Sequence, residues 1–522
     1  MDALPQDKRV TNVESDASPA DAQIVPRPES LHSDSHAVLQ RRLGLPTAVA
    51  VVVGTVIGSG IFFKPGQIAG DAGSFPLIFS VWIFGGIVCI LGALCFAELG
   101  TMFPHAGGLY IYLREAYGRP VAFLFGWSEF AFGKPASIGA LSVAFVGALF
   151  NAAGRKTVAA NEVSHMLQDV GLVFVLVTGL AWINIRGVHW GAGVAFAITL
   201  VKIVFVGLVG LIPFALTLAG HDAVHASNYS STITPLQPTL WTQATAALLA
   251  VSWAYHGWHG LTPLGEEIRD PQRNLPRGLL WGVGIVMALY LGANLAYHGA
   301  MTMGQMAAAK NDAAQQMLTN LLGQSGSAAM AVVIVCSTFG AINANLLEAP
   351  RISFAMGRDR VFFRQLGQVH SNYGTPSIAI ATTAAMALLA VTLVAVVKMG
   401  AGKVDASNIT WNFGRQLMVS VQQGTIFGLL TNFVVFSSTV FFVLCVLAVF
   451  ILRFTRPGIP RPYRTWGYPW VPLAFLLINI PFLFATWTSN PAEALAGLAV
   501  LAVGLPVYFL FFAKNAGVPQ RP

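Results

Sequence analysis

Long apolar segments separated by short polar loops recur along the chain between residues 43 and 513. About 20 consecutive apolar residues cross a bilayer as an α-helix. By this measure the pattern predicts an all-α membrane protein with 12 transmembrane helices. The predicted spans are 43–69, 76–102, 119–150, 170–186, 190–218, 240–268, 277–302, 325–357, 376–398, 424–453, 469–488 and 492–513.

Two of these spans are interrupted in the middle by glycine and polar residues. The first span carries Gly58-Ser59-Gly60, and the sixth carries the segment from Tyr255 to Gly260. Because lipid offers no hydrogen-bond partners, a broken membrane helix needs protein or a water-filled cavity beside its free backbone groups. Interrupted spans at corresponding places in two halves indicate a transporter's binding site. We expect these halves at about 43–218 and 240–453, followed by two further helices at about 469–513.

The backbone at these breaks has the chemistry to hold a small zwitterion. The amides of Ser59, Gly60 and Ile61 open a half-helix whose partly positive end suits a carboxylate. Free carbonyls near Val56 and at the second break suit an ammonium group. Close helix packing is the alternative, since Gly54 and Gly58 form a G-x-x-x-G pattern. The predicted binding residues are Val56, Ile57, Gly58, Ser59, Gly60, Ile61, Trp253, Ala254, Tyr255, His256 and Gly257.

Lys202 lies about twelve residues into the fifth predicted span, which is near the bilayer midplane at a rise of about 1.5 Å per residue. A cation at this depth costs at least a few kcal/mol unless acceptors surround it. We expect the released carbonyls of span 1 and the hydroxyls of Ser337 and Thr338 to be these acceptors. Lys202 would then act as a bound sodium ion does, tying spans 1, 5 and 8 together. Proton exchange by Lys202 and a purely structural role are the alternatives.

Other residues near the breaks are ambiguous from sequence. Trp253 is interpreted as a gate over a bound side chain. His256 and His259 either titrate or serve as ordinary hydrogen-bonding groups, and their spacing predicts no metal site. Lys134 is a second intramembrane cation whose partner the sequence does not identify, because Glu129, five residues earlier, lies on a different helix face. Structural or gating roles are assigned to Lys134, Asn343 and Trp258.

Composition agrees with a membrane protein, since 55% of the 522 residues are hydrophobic and only 10% are charged. The net charge of +8 reflects the positive-inside rule rather than a nucleic-acid partner, and it places both termini in the cytoplasm. The outer loops hold only Arg155, Lys156, Lys310, Lys398, Lys403 and Arg415. Residues 1–40 and 514–522 are predicted as cytoplasmic tails, the first of them disordered. Inner helix ends carry Glu98, Glu115, Glu266, Glu267 and Asp270, with Arg114, Arg269, Arg273 and Arg358 as candidate partners.

Seven blocks of sequence are similar to those of one known family: 54–62, 97–100, 107–118, 253–258, 266–277, 339–343 and 351–359. On these blocks the chain resembles the L-type amino-acid transporter (LAT) family of the amino acid–polyamine–organocation (APC) superfamily. The resemblance implies a LeuT-like fold, a five-plus-five inverted repeat with discontinuous helices 1 and 6, and alternating access. It places the substrate carboxylate on the amides of residues 59–61 and the ammonium on the carbonyls of Val56, Trp253 and His256. It also matches Trp253 to the family's aromatic gate and Lys202 to a lysine that replaces the sodium ion of sodium-driven carriers.

Three departures from the family pattern bear on function. His256 stands where relatives often carry glycine or aspartate, which puts dibasic transport in doubt. Lys134 stands where animal members usually carry arginine. All four cysteines (Cys89, Cys95, Cys336 and Cys445) fall inside predicted spans. The outer loop between spans 3 and 4 therefore has no cysteine, and no disulfide-linked heavy chain is expected. This suits a prokaryotic member.

The sequence therefore predicts sodium-independent transport of neutral L-amino acids across the plasma membrane, by an exchanger that needs no cofactor. A proton-coupled symporter and a nontransporting amino-acid sensor of the same fold are the alternatives. A membrane-embedded enzyme is disfavoured, because the chain contains no H-E-x-x-H or G-x-S-x-G motif and no cluster of intramembrane aspartates.

Overall fold

The part of the chain that the structure describes is almost wholly helical. The computed structural model describes residues 39–153, 163–401, 409–411, 414–415, 418, 422, 426–489 and 491–513. Within these residues, β-pairing is confined to the isolated bridges Leu43–Ile268, Ser74–Thr232 and Ala106–Leu264. The all-helical class predicted from sequence is confirmed. The predicted disordered tail 1–40 lies outside the described residues except for its last two, and the tail 514–522 lies outside them entirely.

The described residues form seventeen α-helices, which are numbered in chain order. They are α1 Leu45–Val56, α2 Gly60–Phe63, α3 Pro65–Ala72, α4 Phe75–Met102, α5 Leu109–Tyr117, α6 Arg119–Ser128, α7 Lys134–Ala152, α8 Val163–Arg186, α9 Val188–Leu218, α10 Leu240–Ala254, α11 Pro271–Ala300, α12 Met303–Ala309, α13 Ala313–Arg358, α14 Ser377–Ala401, α15 Ile426–Thr455, α16 Trp470–Ser489 and α17 Pro491–Val507. One π-helical turn, Glu129–Gly133, joins α6 to α7, and a second, Tyr508–Phe512, follows α17.

Ten helical segments of the described chain are long and apolar enough to cross a membrane. They correspond to ten of the twelve spans predicted from sequence. The sixth predicted span is represented by α10, which has only 15 residues, and the twelfth by a shorter apolar segment, Gly497–Phe512. The chain is therefore a multi-pass membrane protein, and the count of twelve spans stays a prediction.

The first span divides where its glycines lie. α1 ends at Val56 and α2 begins at Gly60, so the intervening residues leave the α-helical path. The amide of Ile57 still donates to Val53, whereas the amide of Gly58 turns back to the carbonyl of Val56 at 2.8 Å. A proline at the start of α3 cannot donate a backbone hydrogen bond, which separates that helix from α2.

The sixth span departs further from the expected pair of half-helices. α10 begins at a capping box formed by Thr239 and Thr242 and ends at Ala254. The next ten residues, 255–264, are a series of turns that lead to the short 3₁₀ segment Gly265–Glu267. The physical reason is local composition, because glycine and proline within residues 257–265 disfavour α-helix.

The two interrupted spans lie at the centre of the bundle. α1 packs against α9, α11 and α13, and the long helix α13 packs against α7. α13 contains a kink at Gly323, whose φ of 62° belongs to the left-handed region that glycine tolerates. Fully buried apolar residues such as Val52, Ile61, Leu261 and Ile342 surround the breaks, so any polar group there must find its partner inside the protein.

Candidate functional site

The first break presents backbone donors and a free hydroxyl. The amides of Ser59, Gly60 and Ile61 stand at the start of α2, where the first N–H groups of a helix have no intrahelical acceptor. Ser59 is 1% exposed, and its Oγ has no hydrogen-bond partner among the described residues. The predicted donor residues thus offer unsatisfied polar groups in a buried place, which favours an anionic ligand group.

The two breaks are in direct contact with each other. Thr55 Oγ1 lies 3.0 Å from the carbonyl oxygen of Gly257, to which it can donate. A Cβ added to Gly60 would lie less than 3.0 Å from the Cα of Ala254, and Gly257 has a φ of 102°. Both glycines are therefore required by geometry, one for the close approach of two backbones and the other for a left-handed conformation.

Tyr290 of α11 bridges the breaks, and the sequence analysis missed it. Its hydroxyl lies 3.0 Å from the carbonyl oxygen of Val56 and 3.1 Å from that of Ala254. Tyr290 is fully buried, and its single proton serves one carbonyl at a time. The predicted ammonium acceptor Val56 thus already faces a donor, while the Trp253 carbonyl accepts from the amide of His256 at 3.0 Å. The sequence does place a tyrosine in the middle of a span. Its hydroxyl needs a partner within the protein, because lipid offers none.

A narrow cavity lies between the breaks and the helices α7 and α13. The centre of a water molecule can reach about 20 Å³ of it, which is about the space of one water. This space is too small to hold an amino acid in the conformation described here. The rings of Trp253 and His256 stack with centroids 6.0 Å apart. The lining consists of Thr55, Val56, Gly58, Ser59, Gly60, Lys134, Ser137, Leu141, Trp253, His256, Gly257 and Asn345.

The remaining predicted binding residues lie beside this cavity. Tyr255 and Trp258, together with His256, line a second cavity between α4, α10, α15 and α16. The Tyr255 hydroxyl is 3.3 Å from the carbonyl oxygen of Trp82, and Trp258 packs on Phe96 and Phe442. Ile57, Ile61 and Ala254 contribute backbone at the breaks, and their side chains are buried. His256 thus forms a wall common to both cavities.

Lys202 donates hydrogen bonds to released carbonyls of the first span, as the sequence analysis expects. It is 1% exposed, and its Nζ donates to the carbonyl oxygens of Gly54 at 2.8 Å and Ile57 at 2.7 Å. The Ser337 hydroxyl donates to the carbonyls of Ile57 and Gly58 at 3.1 and 2.9 Å. The expected roles of Ser337 and Thr338 as acceptors for Lys202 need correction, because the Ser337 hydroxyl is itself a donor to this break and the Thr338 hydroxyl donates to Ile334 and Val335 of its own helix. Lys202 and Ser337 together hold the broken end of α1.

Lys134 has a carboxylate partner, Glu348 of α13, which the sequence analysis did not identify. Lys134 Nζ lies 2.5 Å from Glu348 Oε1, and the two side chains are 5% and 1% exposed. His259 Nε2 lies 3.9 Å from the same oxygen. A carboxylate inside an otherwise apolar span was the missed signal, since the depth that makes Lys202 notable applies equally to Glu348. Lys134 also lines the cavity between the breaks.

Asn343 lies farther from the site, on the part of α13 that faces α8. Its Oδ1 accepts from the Nδ2 of Asn184 at 2.8 Å, and both side chains are buried. This amide pair joins two helices in the apolar interior, where an unpaired amide would be costly. The geometry therefore favours the structural role among those assigned to Asn343.

Arginine–carboxylate pairs tie one end of the bundle, here called the basic end and defined by Arg114, Arg351, Arg358, Arg453 and Arg456. The pairs join residues far apart in sequence. Arg114 and Arg358 were predicted as partners and do form such pairs. Glu98 and Glu267 instead pair with Arg453 and Arg351, which were not predicted as partners. The pairs are Glu98–Arg453, Asp359–Arg114, Glu266–Arg358, Glu267–Arg351 and Glu115–Arg456.

Glu115 of α5 lies at the basic end, outside the spans. Burial opposes its ionisation, but hydrogen bonds from Arg114 and Arg456 outweigh burial and hold the pKa of Glu115 below its ordinary value. A lowered pKa means that the ionised form stabilises the fold above the ordinary carboxyl range and that this contribution is lost as pH falls. The pairing of Glu115 is therefore intact at neutral pH.

Comparison with known proteins identifies the family. A family model described as "Amino acid permease" matches residues 43–511. The chain belongs to the amino acid permease family. It is 31% identical to the serine/threonine exchanger SteT of Bacillus subtilis (strain 168), over 92% of this chain and 98% of that protein. It is 28% identical to the b(0,+)-type amino acid transporter 1 of Mus musculus, over 92% and 90% of the two chains. The Asc-type amino acid transporter 1 of Mus musculus is also 28% identical, over 90% and 81%.

Membership in the family establishes the class of activity. The protein is an amino acid transporter of the APC superfamily rather than an enzyme, as the sequence blocks indicate. In the described chain, no group of three or more His, Cys, Asp or Glu residues is placed to hold a metal ion.

Replacement of Gly60 by alanine tests the contact between the breaks. We expect Gly60→Ala to lower both substrate binding and Tm, because the new Cβ forces α2 and α10 apart. Gly284→Ala is the matched control, since no heavy atom of the described chain lies within 4 Å of a Cβ added there and alanine favours a helix. Thermal melts of the purified protein with and without amino acids measure both effects. Equal melting temperatures for the two variants, with and without amino acids, would contradict the predicted contact.

Proposed function

We propose that this permease exchanges neutral L-amino acids across the plasma membrane by alternating access, without sodium. The observation that carries the proposal is the position of Lys202. Its ammonium occupies a place among the carbonyls of Gly54 and Ile57, where a cation is needed to hold the free end of a broken helix. A covalently attached cation removes the need for a dissolved one.

The two breaks supply the proposed substrate contacts. The amides of Ser59, Gly60 and Ile61 receive the carboxylate, as expected for the positive end of a half-helix. Carbonyls at the breaks receive the ammonium, and rotation of the Tyr290 hydroxyl frees either Val56 or Ala254 for this purpose. Trp253 covers the bound side chain from the position it holds beside His256.

The proposed architecture is a LeuT-like five-plus-five inverted repeat with twelve spans. The halves, 43–218 and 240–453, each begin with an interrupted helix, and α16 and α17 follow them. The positive-inside rule then puts the basic end and both termini in the cytoplasm. No heavy chain is proposed, because the four cysteines lie in spans and are unpaired, although one mammalian relative is named a small subunit.

Counterflow in vesicles tests the proposal. Purified protein is reconstituted with or without unlabelled L-threonine inside, and uptake of labelled L-threonine is measured in sodium-free buffer at equal pH on both sides. We expect uptake only into the loaded vesicles. Uptake that requires sodium would contradict the role of Lys202, and equal uptake into empty vesicles would contradict obligatory exchange.

Proton-coupled symport is the second candidate, with Lys202 or His256 as the titrating group. His256 lines both cavities, and an imidazole beside a cavity can bind a proton during transport. An imposed pH gradient applied to unloaded vesicles separates the two candidates. Symport predicts accumulation driven by the gradient, whereas exchange predicts none.

A further inference from the structure

The cavity between the breaks has one wall made of side chains rather than open backbone. Lys134, Ser137 and Leu141 of α7 form this wall with Asn345 of α13. The opposite wall carries the backbone groups of Thr55 to Gly60, which suit the charged ends of a zwitterion. A substrate held there by its carboxylate and ammonium therefore turns its side chain towards α7 and α13.

The ammonium of Lys134 is the strongest hydrogen-bond donor on this wall. A lysine has three N–H donors, and one of them is directed at Glu348 Oε1, 2.5 Å away. Lys134 is 4% exposed, and it lines the same cavity as His256. Two N–H groups thus remain for a ligand in a place where water is largely excluded.

Glu348 fixes the position of this ammonium. Its side chain is 1% exposed, and it approaches the second break where Gly260 has no side chain, since a Cβ there would lie 2.6 Å from Glu348 Oε2. A carboxylate held in this way neutralises Lys134 and keeps it from leaving the cavity wall. Glu348 is accordingly a positioning residue.

We propose that Lys134 donates a hydrogen bond to an oxygen on the substrate side chain. The substrates are then small neutral amino acids that carry a hydroxyl or amide, a conclusion that rests on the proposed function. A hydroxyl or amide oxygen can accept from the free N–H groups of Lys134, whereas a cationic side chain would bring only further donors. A site that hydrogen-bonds a substrate hydroxyl discriminates against the analogue that lacks it, because the buried donor is left unpaired.

L-Threonine and L-valine are the probes, since they have nearly the same shape and differ by one hydroxyl. Each is used unlabelled to compete with labelled L-threonine in the counterflow assay with the wild-type protein. We expect threonine to compete at least about 10-fold better than valine, as one hydrogen bond to a charged group provides. Equal competition by the two amino acids overturns the proposal, whatever the variants do.

The double variant Lys134→Met, Glu348→Leu removes both charges of this pair at once, so that neither is left buried without the other. We expect the preference for threonine over valine in the competition assay to fall towards a ratio of one. The rise in Tm that each amino acid induces is a second measurement of this preference, and it does not require transport. Lys134→Arg keeps the charge and should keep the preference. Glu115→Gln, Arg456→Gln is the matched control, since it removes an ion pair at the basic end, and its ratio should equal that of the wild type.

The outcomes separate this inference from the proposed function. A double variant that retains the wild-type ratio shows that Lys134 has only a structural role and overturns the inference. Loss of the preference in the double variant but not in Lys134→Arg supports it. If the wild-type protein exchanges neither amino acid, the proposed function itself fails. If it exchanges both equally well, the exchange function stands and the side-chain contact does not.

Discussion

Lys202→Met is expected to reduce the exchange rate by about 100-fold or more. The substitution keeps most of the stem of the side chain but removes both hydrogen bonds to the carbonyls of Gly54 and Ile57. A hydrogen bond that involves a charged group contributes about 1.5–3 kcal/mol. Losing two of them frees the end of α1 and leaves two carbonyls without their donor. Initial rates of counterflow in vesicles, normalised to the amount of folded protein, measure this effect.

Thr382→Val is the control for Lys202→Met. It also removes a polar group from a membrane span, but the Thr382 hydroxyl donates only within α14, to Ile378 and Ala379, among the described residues. Its exchange rate should stay within about twofold of the wild type, because such surface changes usually cost less than about 0.5 kcal/mol. A Lys202→Met protein that exchanges at the wild-type rate and melts at the wild-type temperature would exclude the proposed role of this lysine.

Arg351→Met is expected to destabilise the protein by about 3–5 kcal/mol, as is typical when one partner of a buried ion pair is removed. Arg351 meets both carboxylate oxygens of Glu267, at 2.8 and 3.2 Å, and both side chains are 1% exposed. The carbonyl of Glu267 also accepts from the amides of Arg42 and Leu43, at 2.8 and 2.9 Å. The pair therefore fastens the segment after the second break to α13 and to the start of α1. Thermal melts of the purified protein measure the loss.

A double-mutant cycle distinguishes the ion pair from simple loss of packing. Glu267→Leu combined with Arg351→Met should recover much of the lost stability, since no unpaired charge is then buried. Arg456→Gln is the exposed counterpart at the same end, and it should cost no more than about 1 kcal/mol because its pair with Glu115 is solvent-accessible. If the double variant were no more stable than Arg351→Met, the Glu267–Arg351 pair would not be the cause.

The sequence was sufficient to locate the first break within a residue or two. Gly58-Ser59-Gly60 interrupts a strongly apolar run, and consecutive small residues weaken a helix at a depth where its freed backbone groups need other partners. Lys202 was equally visible, because a charge at mid-span needs partners and the released carbonyls were the nearest acceptors. Both predictions follow from one rule, that lipid leaves polar groups to be satisfied by the protein.

Two further residues meet the conditions of the same rule, and their partners could not be predicted from sequence. Glu348 and Tyr290 satisfy its conditions, but their partners, Lys134 and two backbone carbonyls, lie on other helices and depend on how the spans pack. Thr338 illustrates the reverse case, since a hydroxyl in a helix can return to a carbonyl one turn earlier and need no tertiary partner. The turns of residues 255–264 also exceed what a hydropathy pattern can describe, because that pattern measures apolarity and not backbone path.

The π-helical turn Glu129–Gly133 determines the direction in which the whole of α7 faces. Its hydrogen bond runs from the Lys134 amide to the Glu129 carbonyl, so the turn contains one residue more than an α-helical turn would. At 3.6 residues per turn, one extra residue rotates everything that follows by about 100°. Deletion of a single residue there would swing Lys134, Ser137 and Leu141 away from the cavity together while leaving the length and apolarity of the span almost unchanged. Among homologous permeases, an insertion or deletion at this turn would therefore exchange one solute-facing surface for another in a single evolutionary step.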